Sequence, residues 1–180
     1  MVTNSNNLRQ IGMAITDYAL NHKGRLPQCY EKQRARMRNY PGFLSSYTAE
    51  YLGVEHEEGE VNPYFGDAAW AAALGTSRSN LSNFLSSQEP NAHRFILNRW
   101  EDQGRPHYPF GTPVAPFTPA YPLASISSPA TTWAMQDLDA KIVSGHPLKE
   151  TLWGNKRLTL YFDMHVKAVP EDEFYMGPTP

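Results

Sequence analysis

The most regular hydrophobic pattern in the chain lies near its start. Apolar residues recur there with the spacing of one helix face, and they are Leu8, Ile11, Ile15, Tyr18 and Ala19. Ser5 is a residue type that caps helix starts, and Gly24 stands where a helix would end, with Pro27 beyond it. The pattern therefore predicts an amphipathic helix that begins near residue 5 and ends just before Gly24.

The end of the chain instead alternates apolar and polar residues, as strands do. A strand at 157–162 would place Leu158, Leu160 and Phe162 on one face, and a second short strand follows at 166–169. The tight break between them, Asp163-Met164-His165, predicts a hairpin. Residues 131–138 begin with β-favouring side chains and predict a further strand.

The middle of the chain predicts short elements joined by loops. Short helices are expected at 47–52, 67–74 and about 80–85, and an apolar strand at 94–97. Four prolines, Pro113, Pro116, Pro119 and Pro122, are spaced by three residues, which is the period of a polyproline II helix. This segment is either a ligand for an aromatic groove on another protein or an extended segment laid across the domain. In the second case the rings of Phe110, Phe117 and Tyr121 would hold it.

Composition narrows the class of protein without naming a function. The 180 residues fit one domain, and 16 basic against 18 acidic residues give a net charge of -2, which argues against a nucleic-acid binder. The single cysteine, Cys29, rules out an intramolecular disulfide and a cysteine-rich zinc site. No run of 18 apolar residues occurs, so no transmembrane helix is predicted within these residues.

Candidate chemistry is sparse, and no sequence motif identifies a catalytic residue, a metal ligand or a cofactor. Cys29 stands in a context that shows no activating helix N-terminus. Asp137, Asp139 and Asp163 stand at the ends of predicted strands, and if those strands were neighbours the carboxylates could meet at one sheet edge. They would then suit acid–base work or Ca²⁺ binding. The alternative is that each aspartate caps a turn by accepting backbone N–H groups.

Three separated segments together resemble a known family. Residues 6–27 (NNLRQIGMAITDYALNHKGRLP) look like the stretch that follows the membrane half of the N-terminal helix in bacterial type II secretion pseudopilins and type IV pilin-like proteins. The relevant branch carries a prepilin-type N-terminal cleavage and methylation segment. Residues 127–140 (SSPATTWAMQDLDA) are similar to its Pro-Ser-x-Thr motif with an apolar strand and Asp, and 157–169 (RLTLYFDMHVKAV) resemble its closing hairpin.

This resemblance implies an α+β fold in which the N-terminal helix packs on an antiparallel sheet of C-terminal strands. The chain 1–180 would be a single pilin-like domain: the helix and its stop at 1–27, a large loop-rich insertion with short helices at 28–125, the strands at 126–170 and a tail at 171–180. The residues that would carry the structural motif are Leu8, Ile11, Ile15, Tyr18, Pro129, Asp137, Asp163 and His165.

The chain departs from the family pattern at its closing motif. That motif usually reads Asp-Gly-His-Val, with a histidine ten positions before the Asp. Here Met164 stands in place of the glycine, and Trp153 stands in place of that histidine. An Asp-Gly pair suits a type I′ turn because glycine accepts positive φ. We therefore expect either a different turn or a Met164 strained by about 1 kcal/mol or more.

By resemblance, the function would be that of a non-enzymatic structural subunit. Its partners would be other pilin or pseudopilin subunits and the secretion or pilus machinery, with no nucleic acid and no cofactor. An apolar run of about 20 residues upstream would anchor the protein in the inner membrane and place this domain in the periplasm or outside the cell. The chain would then be the part of the protein that follows this anchor, and the alternative is a natural protein that has lost it.

Two other functions compete with this interpretation. One is an extracytoplasmic module that binds carbohydrate or protein through exposed rings, for instance Trp70, Trp100, Tyr64 and Tyr108. The other is a metal-dependent hydrolase that uses Asp137, Asp139 and Asp163. The second requires their carboxylate oxygens to lie within about 5 Å of one another, since metal–oxygen bonds are short.

Overall fold

The computed structural model describes residues 2–29, 32–34, 44–48, 50–52, 94–98, 100–102, 105–112, 117–138, 151 and 153–173. Its helices are α1 (Val2–Asn21) and α2 (Leu44–Thr48), with 3-10 turns at Glu50–Leu52, Leu123–Ser125 and Glu171–Glu173. Its strands are β1 (Lys32–Arg34), β2 (Arg94–Leu97), β3 (Trp100–Asp102), β4 (Arg105–His107), β5 (Trp133–Leu138), β6 (Lys156–Tyr161) and β7 (Val166–Pro170).

Five of the strands form one antiparallel sheet in the order β1-β2-β5-β6-β7, while β3 and β4 form a separate hairpin. Helix α1 lies against β6 and β7. The described part of the chain therefore has the α+β class predicted from sequence, with a helix on one face of an antiparallel sheet. The strands predicted at 94–97, 131–138, 157–162 and 166–169 are confirmed within one or two residues of their ends.

The apolar stripe of α1 forms the centre of the core. Leu8, Ile11, Ile15 and Ala19 are at most 1% exposed, as the periodicity predicts, and Tyr18 at the edge of the stripe is half-buried. Leu8, Ile11 and Ile15 pack with Met135, Leu158 and Leu160 of the sheet and with Phe162, the residue that follows β6. The prediction that Ser5 caps the helix is wrong, because α1 already begins at Val2 and Ser5 lies inside it.

Helix α1 ends in a left-handed turn formed by Lys23 (φ 57°) and Gly24 (φ 76°). The Gly24 N–H donates to the Ala19 carbonyl at 2.8 Å, the bond that closes a Schellman-type helix end. The chain then continues beside the segment around residue 122. Leu26 N–H donates to the Tyr121 carbonyl at 2.9 Å, and Leu123 N–H donates to the Gly24 carbonyl at 2.7 Å.

The β6–β7 hairpin closes with a turn other than type I′. The Met164 N–H donates to the Tyr161 carbonyl at 2.9 Å, and the Tyr161 N–H donates to the His165 carbonyl at 3.0 Å. Among the turn residues only Met164 has positive φ, at 69°, whereas a type I′ turn needs two such residues. The bonds fit a three-residue loop with a left-handed third residue, a position that glycine usually occupies. Both expectations therefore hold, since the turn is different and Met164 adopts the strained conformation.

The proline-rich segment is tied to the rest of the fold by backbone bonds. Thr112 N–H donates to the Thr118 carbonyl at 2.9 Å, so these two residues lie side by side and do not belong to one extended run. Gly111 has φ 62° and a Cβ on it would lie 2.7 Å from the Ala120 nitrogen, so this position requires glycine. Phe110 is buried, but Phe117 is 73% exposed, so the expectation that Phe117 holds the segment is wrong.

Several predictions for the insertion and the tail lie outside the described residues. These are the helices at 67–74 and 80–85, the prolines at positions 113 and 116, and most of the tail. The helix predicted at 47–52 is replaced by α2 and the 3-10 turn that follows it.

Candidate functional site

The residues of the predicted structural motif fall into three places. Leu8, Ile11 and Ile15 lie on the buried face of α1 in the core, and Tyr18 lies at the edge of that face. The second place is the tip of the β6–β7 hairpin, where the Asp163 N–H donates to the Pro129 carbonyl at 3.2 Å and His165 follows two residues later. The third place is the end of β5 that lies away from the hairpin tip, where Asp137 stands. The fold thus brings Pro129, Asp163 and His165 together but separates them from Asp137.

At the hairpin tip the turn contacts the helix directly. A Cβ built on Gly12 of α1 would lie 2.6 Å from the Met164 Sδ and 3.1 Å from the Leu160 Cδ1. Because Gly12 has no side chain, the left-handed turn residue can place its thioether against the helix. Gly12 and Met164 together therefore define a helix–hairpin junction.

The other side of the tip carries an Asp–His pair. The Asp163 Oδ1 lies 2.5 Å from the His165 Nδ1 and accepts the His165 backbone N–H at 3.2 Å. The imidazole stacks on the Tyr161 ring, with centroids 4.2 Å apart and planes 9° from parallel. Burial acts to raise the pKa of Asp163, but the hydrogen bonds from the His165 side chain and backbone and the charge of His165 outweigh it, so the pKa is lowered. Burial is the largest cause that raises the pKa of Tyr161, and the negative charges of Glu173 and Asp163 raise it further.

Asp137 is a buried acceptor inside the sheet. Asp137 is only 6% exposed. Its Oδ2 accepts the Trp153 Nε1–H at 2.9 Å and the Leu158 backbone N–H at 3.0 Å. The carboxylate therefore replaces a backbone carbonyl at the end of the β5–β6 ladder and also orients the indole. Trp153 packs on the core beside it. Sequence reasoning noted Trp153 only as a departure from the family motif and found no signal for this contact.

Of the two interpretations of the strand-end carboxylates, the one in which they meet at one sheet edge does not hold for Asp137 and Asp163. Asp137 contacts Leu158, whereas Asp163 follows Phe162, whose N–H donates to the Thr132 carbonyl at 3.1 Å. Five residues of strand separate the two ends, or about 16 Å at the usual rise per residue. No single metal ion spans that distance, so these two aspartates do not form the site of the competing metal-dependent hydrolase.

The other members of that hypothesis add nothing to it. Asp139 lies outside the described residues. Within the described ranges no three His, Cys, Asp or Glu side chains are placed to hold a metal ion. Asp163 instead accepts the backbone N–H of His165 within its own turn, which is the capping role given as the alternative. Asp137 accepts the Leu158 N–H from the neighbouring strand and caps no turn.

Cys29 lies in the core and is 0% exposed. Its backbone N–H donates to the Phe110 carbonyl at 2.8 Å, which fixes the residue beneath the segment that contains Phe110. Burial raises the pKa of the thiol well above its ordinary value. The side chain therefore packs as a small apolar group.

The rings named for a binding module are only partly described. Trp70 and Tyr64 lie outside the described residues, Trp100 is described only as a backbone position of β3, and Tyr108 is half-buried. A different aromatic cluster forms where α1 ends. Tyr18 stacks on His22 with centroids 3.8 Å apart and meets the rings of Tyr47 and Tyr51 edge-on.

The outer face of α1, defined as Arg9, Met13, Asp17 and Leu20, points away from the sheet. Met13 is 53% exposed and Leu20 is 73% exposed, and the two charged residues are exposed as well. These positions lie within an arc of about 80° on a helical wheel. The helix thus has a buried face and a solvent face that keeps two apolar side chains.

The hydropathy of the described helices is too low, or their length too short, for any of them to cross a membrane. No protein family, curated protein or solved structure matches the chain.

Proposed function

We propose that this chain is the globular part of a structural subunit of the pilin or pseudopilin type, which assembles with other such subunits into a secretion or pilus fibre. The observation that carries the proposal is the arrangement of α1. One face is buried on an antiparallel sheet, while its outer face exposes Met13 and Leu20 to solvent. A helix that is shared between a domain core and a neighbouring subunit needs both faces.

The buried groups also support a role without chemistry. The Oδ2 of Asp137 accepts donors from the sheet and from Trp153, and Cys29 is enclosed in the core. The Asp163–His165 pair at the hairpin tip fastens a turn whose backbone is strained. These groups hold the helix and hairpin in one arrangement, which is what a building block of a fibre requires.

A fractionation experiment on native cells tests the proposal. Surface structures are sheared from the cells, sedimented, and probed with an antibody raised against this chain. The proposal expects the protein in the sedimented fibre fraction and in the membrane fraction. If the protein stays entirely in the cytosolic supernatant, the proposal is wrong. An abundant cytosolic enzyme serves as the control for cell lysis.

A further inference from the structure

The thioether of Met164 lies in a notch of α1 that the missing side chain of Gly12 leaves open. A Cβ on Gly12 would lie 2.6 Å from the Met164 Sδ and 3.1 Å from the Leu160 Cδ1. Gly12 stands in the middle of α1, so its N–H is bonded within the helix, and its carbonyl also accepts the Thr16 hydroxyl at 3.2 Å. The backbone of the notch therefore suits an apolar atom and offers no hydrogen-bond donor to a polar one.

Three methionines lie among the described residues, and they differ in how far water reaches them. Met13 is 53% exposed, Met135 is 0% exposed in the core, and Met164 is half-buried with its sulfur against the helix. Oxidation of Met13 disturbs no packing, and oxidation of Met135 requires the fold to open. Of the three, Met164 combines access for solvent with a contact that joins two elements.

We infer that Met164 is an oxidation site, and that its conversion to the sulfoxide by a peroxide releases the β6–β7 turn from α1. One oxygen atom of hydrogen peroxide is transferred to the Sδ: the O–O bond breaks, an S–O bond forms, and the other oxygen leaves as water. The sulfur loses the two electrons that the peroxide gains. Reduction by a dithiol through a methionine sulfoxide reductase returns the thioether, with a disulfide and water as the other products. This site is independent of the proposed function.

The sulfoxide does not fit the notch, because its oxygen finds neither space nor a donor there. The sulfur already lies where a side chain on Gly12 would clash, and its other neighbour, the Leu160 Cδ1, is apolar. When the sulfoxide turns outward to water, the contact is lost and the φ of 69° at Met164 is left without compensation. The bonds between Asp163 and His165 are local to the turn, so the hairpin keeps its shape while it separates from the helix.

Peroxide treatment of the full chain tests the inference, with Met13→Leu as the starting protein so that the more exposed thioether is absent. Peptide mass spectrometry follows the sulfoxide at each methionine, and urea denaturation measures stability at each extent of oxidation. Sulfoxide at Met164 should form in the folded protein, well before sulfoxide at Met135. It should raise the equilibrium constant for unfolding about tenfold. Treatment with methionine sulfoxide reductase and dithiothreitol should restore the original value.

Two variants of the starting protein supply the controls. Met164→Leu keeps every other methionine, so peroxide should leave its denaturation midpoint nearly unchanged. Gly12→Ala puts a methyl group in the notch and displaces the thioether, so the effect of peroxide should fall several-fold. This variant should still fold, because the atom that must move most belongs to a flexible side chain.

Three results would overturn the inference. The first is an equal loss of stability on oxidation of the Met164→Leu chain, and the second is a loss that Gly12→Ala does not reduce. The third is a Met164 that oxidises no faster than Met135, because it would then react only when the fold opens.

Discussion

Among the described residues other than glycine, Lys23 and Met164 adopt the left-handed backbone conformation that glycine adopts without strain. They differ in what their side chains do. Lys23 is exposed at the end of α1, whereas the Met164 thioether lies against Gly12. The same backbone strain therefore has a compensating contact at one position and none at the other.

This difference predicts opposite outcomes for glycine substitution. Lys23→Gly should raise the free energy of unfolding by about 0.5–1 kcal/mol, because it relieves a strained backbone and removes no buried contact. Met164→Gly should give no gain or a net loss, because the thioether contact with α1 disappears. Urea denaturation of the two variants measures both effects. A gain at Met164 as large as that at Lys23 would contradict the helix–hairpin junction.

The Asp163–His165 pair predicts a pH dependence of stability. The pKa of Asp163 is lower in the fold than in the unfolded chain, so the folded state favours the ionised carboxylate. The resulting stability is present above the ordinary carboxyl pKa and is lost as the pH falls through the folded value. Both side chains are partly exposed, so we expect about 1 kcal/mol or less.

Comparison of the wild-type protein with Asp163→Asn measures this effect. The difference in free energy of unfolding should be present at about pH 5 and should shrink as the pH falls below about 4. A difference that grows in acid would show that the carboxylate does not stabilise the turn. The bond from the Asp163 N–H to the Pro129 carbonyl joins backbone atoms, so this substitution retains both of its groups.

At the scale of elements, the sequence pattern predicted the helix and the hairpin, which depend on residues close together in the chain. The period of Leu8, Ile11 and Ile15 predicted α1 and its buried face, and the alternation around Leu158 and Leu160 predicted the hairpin. Each of these patterns is set by residues only a few positions apart. The end of α1 near Gly24 was predictable for the same reason.

The rest of the candidate site depends on contacts between distant residues, which a single sequence does not display. Asp137 meets the Trp153 indole, and no spacing rule relates an aspartate to a tryptophan sixteen positions away. The junction of Gly12 with Met164 is equally non-local. For the hairpin turn, the sequence left two possibilities, a turn other than type I′ or a strained Met164. It could not choose between them, because a methionine in a left-handed position is rare.

The packing of α1 on the sheet gives the prediction that belongs to this scale. Ile15→Ala removes a side chain that is 1% exposed and should lower the free energy of unfolding by about 2–5 kcal/mol. Leu20→Ala, on the outer face of the same helix, should change it by about 0.5 kcal/mol or less. Thermal or urea denaturation of the two variants provides the comparison. Equal losses would mean that α1 does not bury the face assigned to the core.

For the whole molecule, the buried cysteine reports on the integrity of the core. Cys29 is 0% exposed and its thiol pKa is raised by burial, so it should react with a disulfide reagent only when the fold opens. We expect one thiol per chain to react quickly in strong denaturant and orders of magnitude more slowly without it. Rapid reaction in native buffer would contradict the position of residue 29 in the core.

We propose that α1 serves both the domain core and a fibre. Asp137, Trp153 and the hairpin turn hold the sheet on which one face of the helix packs, and the outer face leaves Met13 and Leu20 exposed.

The most direct test is the N-terminus of the mature protein, purified from its native cells and analysed by mass spectrometry. The account predicts a methylated first residue, followed by about 20 apolar residues that run without a break into the α1 sequence. A mature protein whose first residues are those of this chain, with no apolar segment before them, would contradict the account.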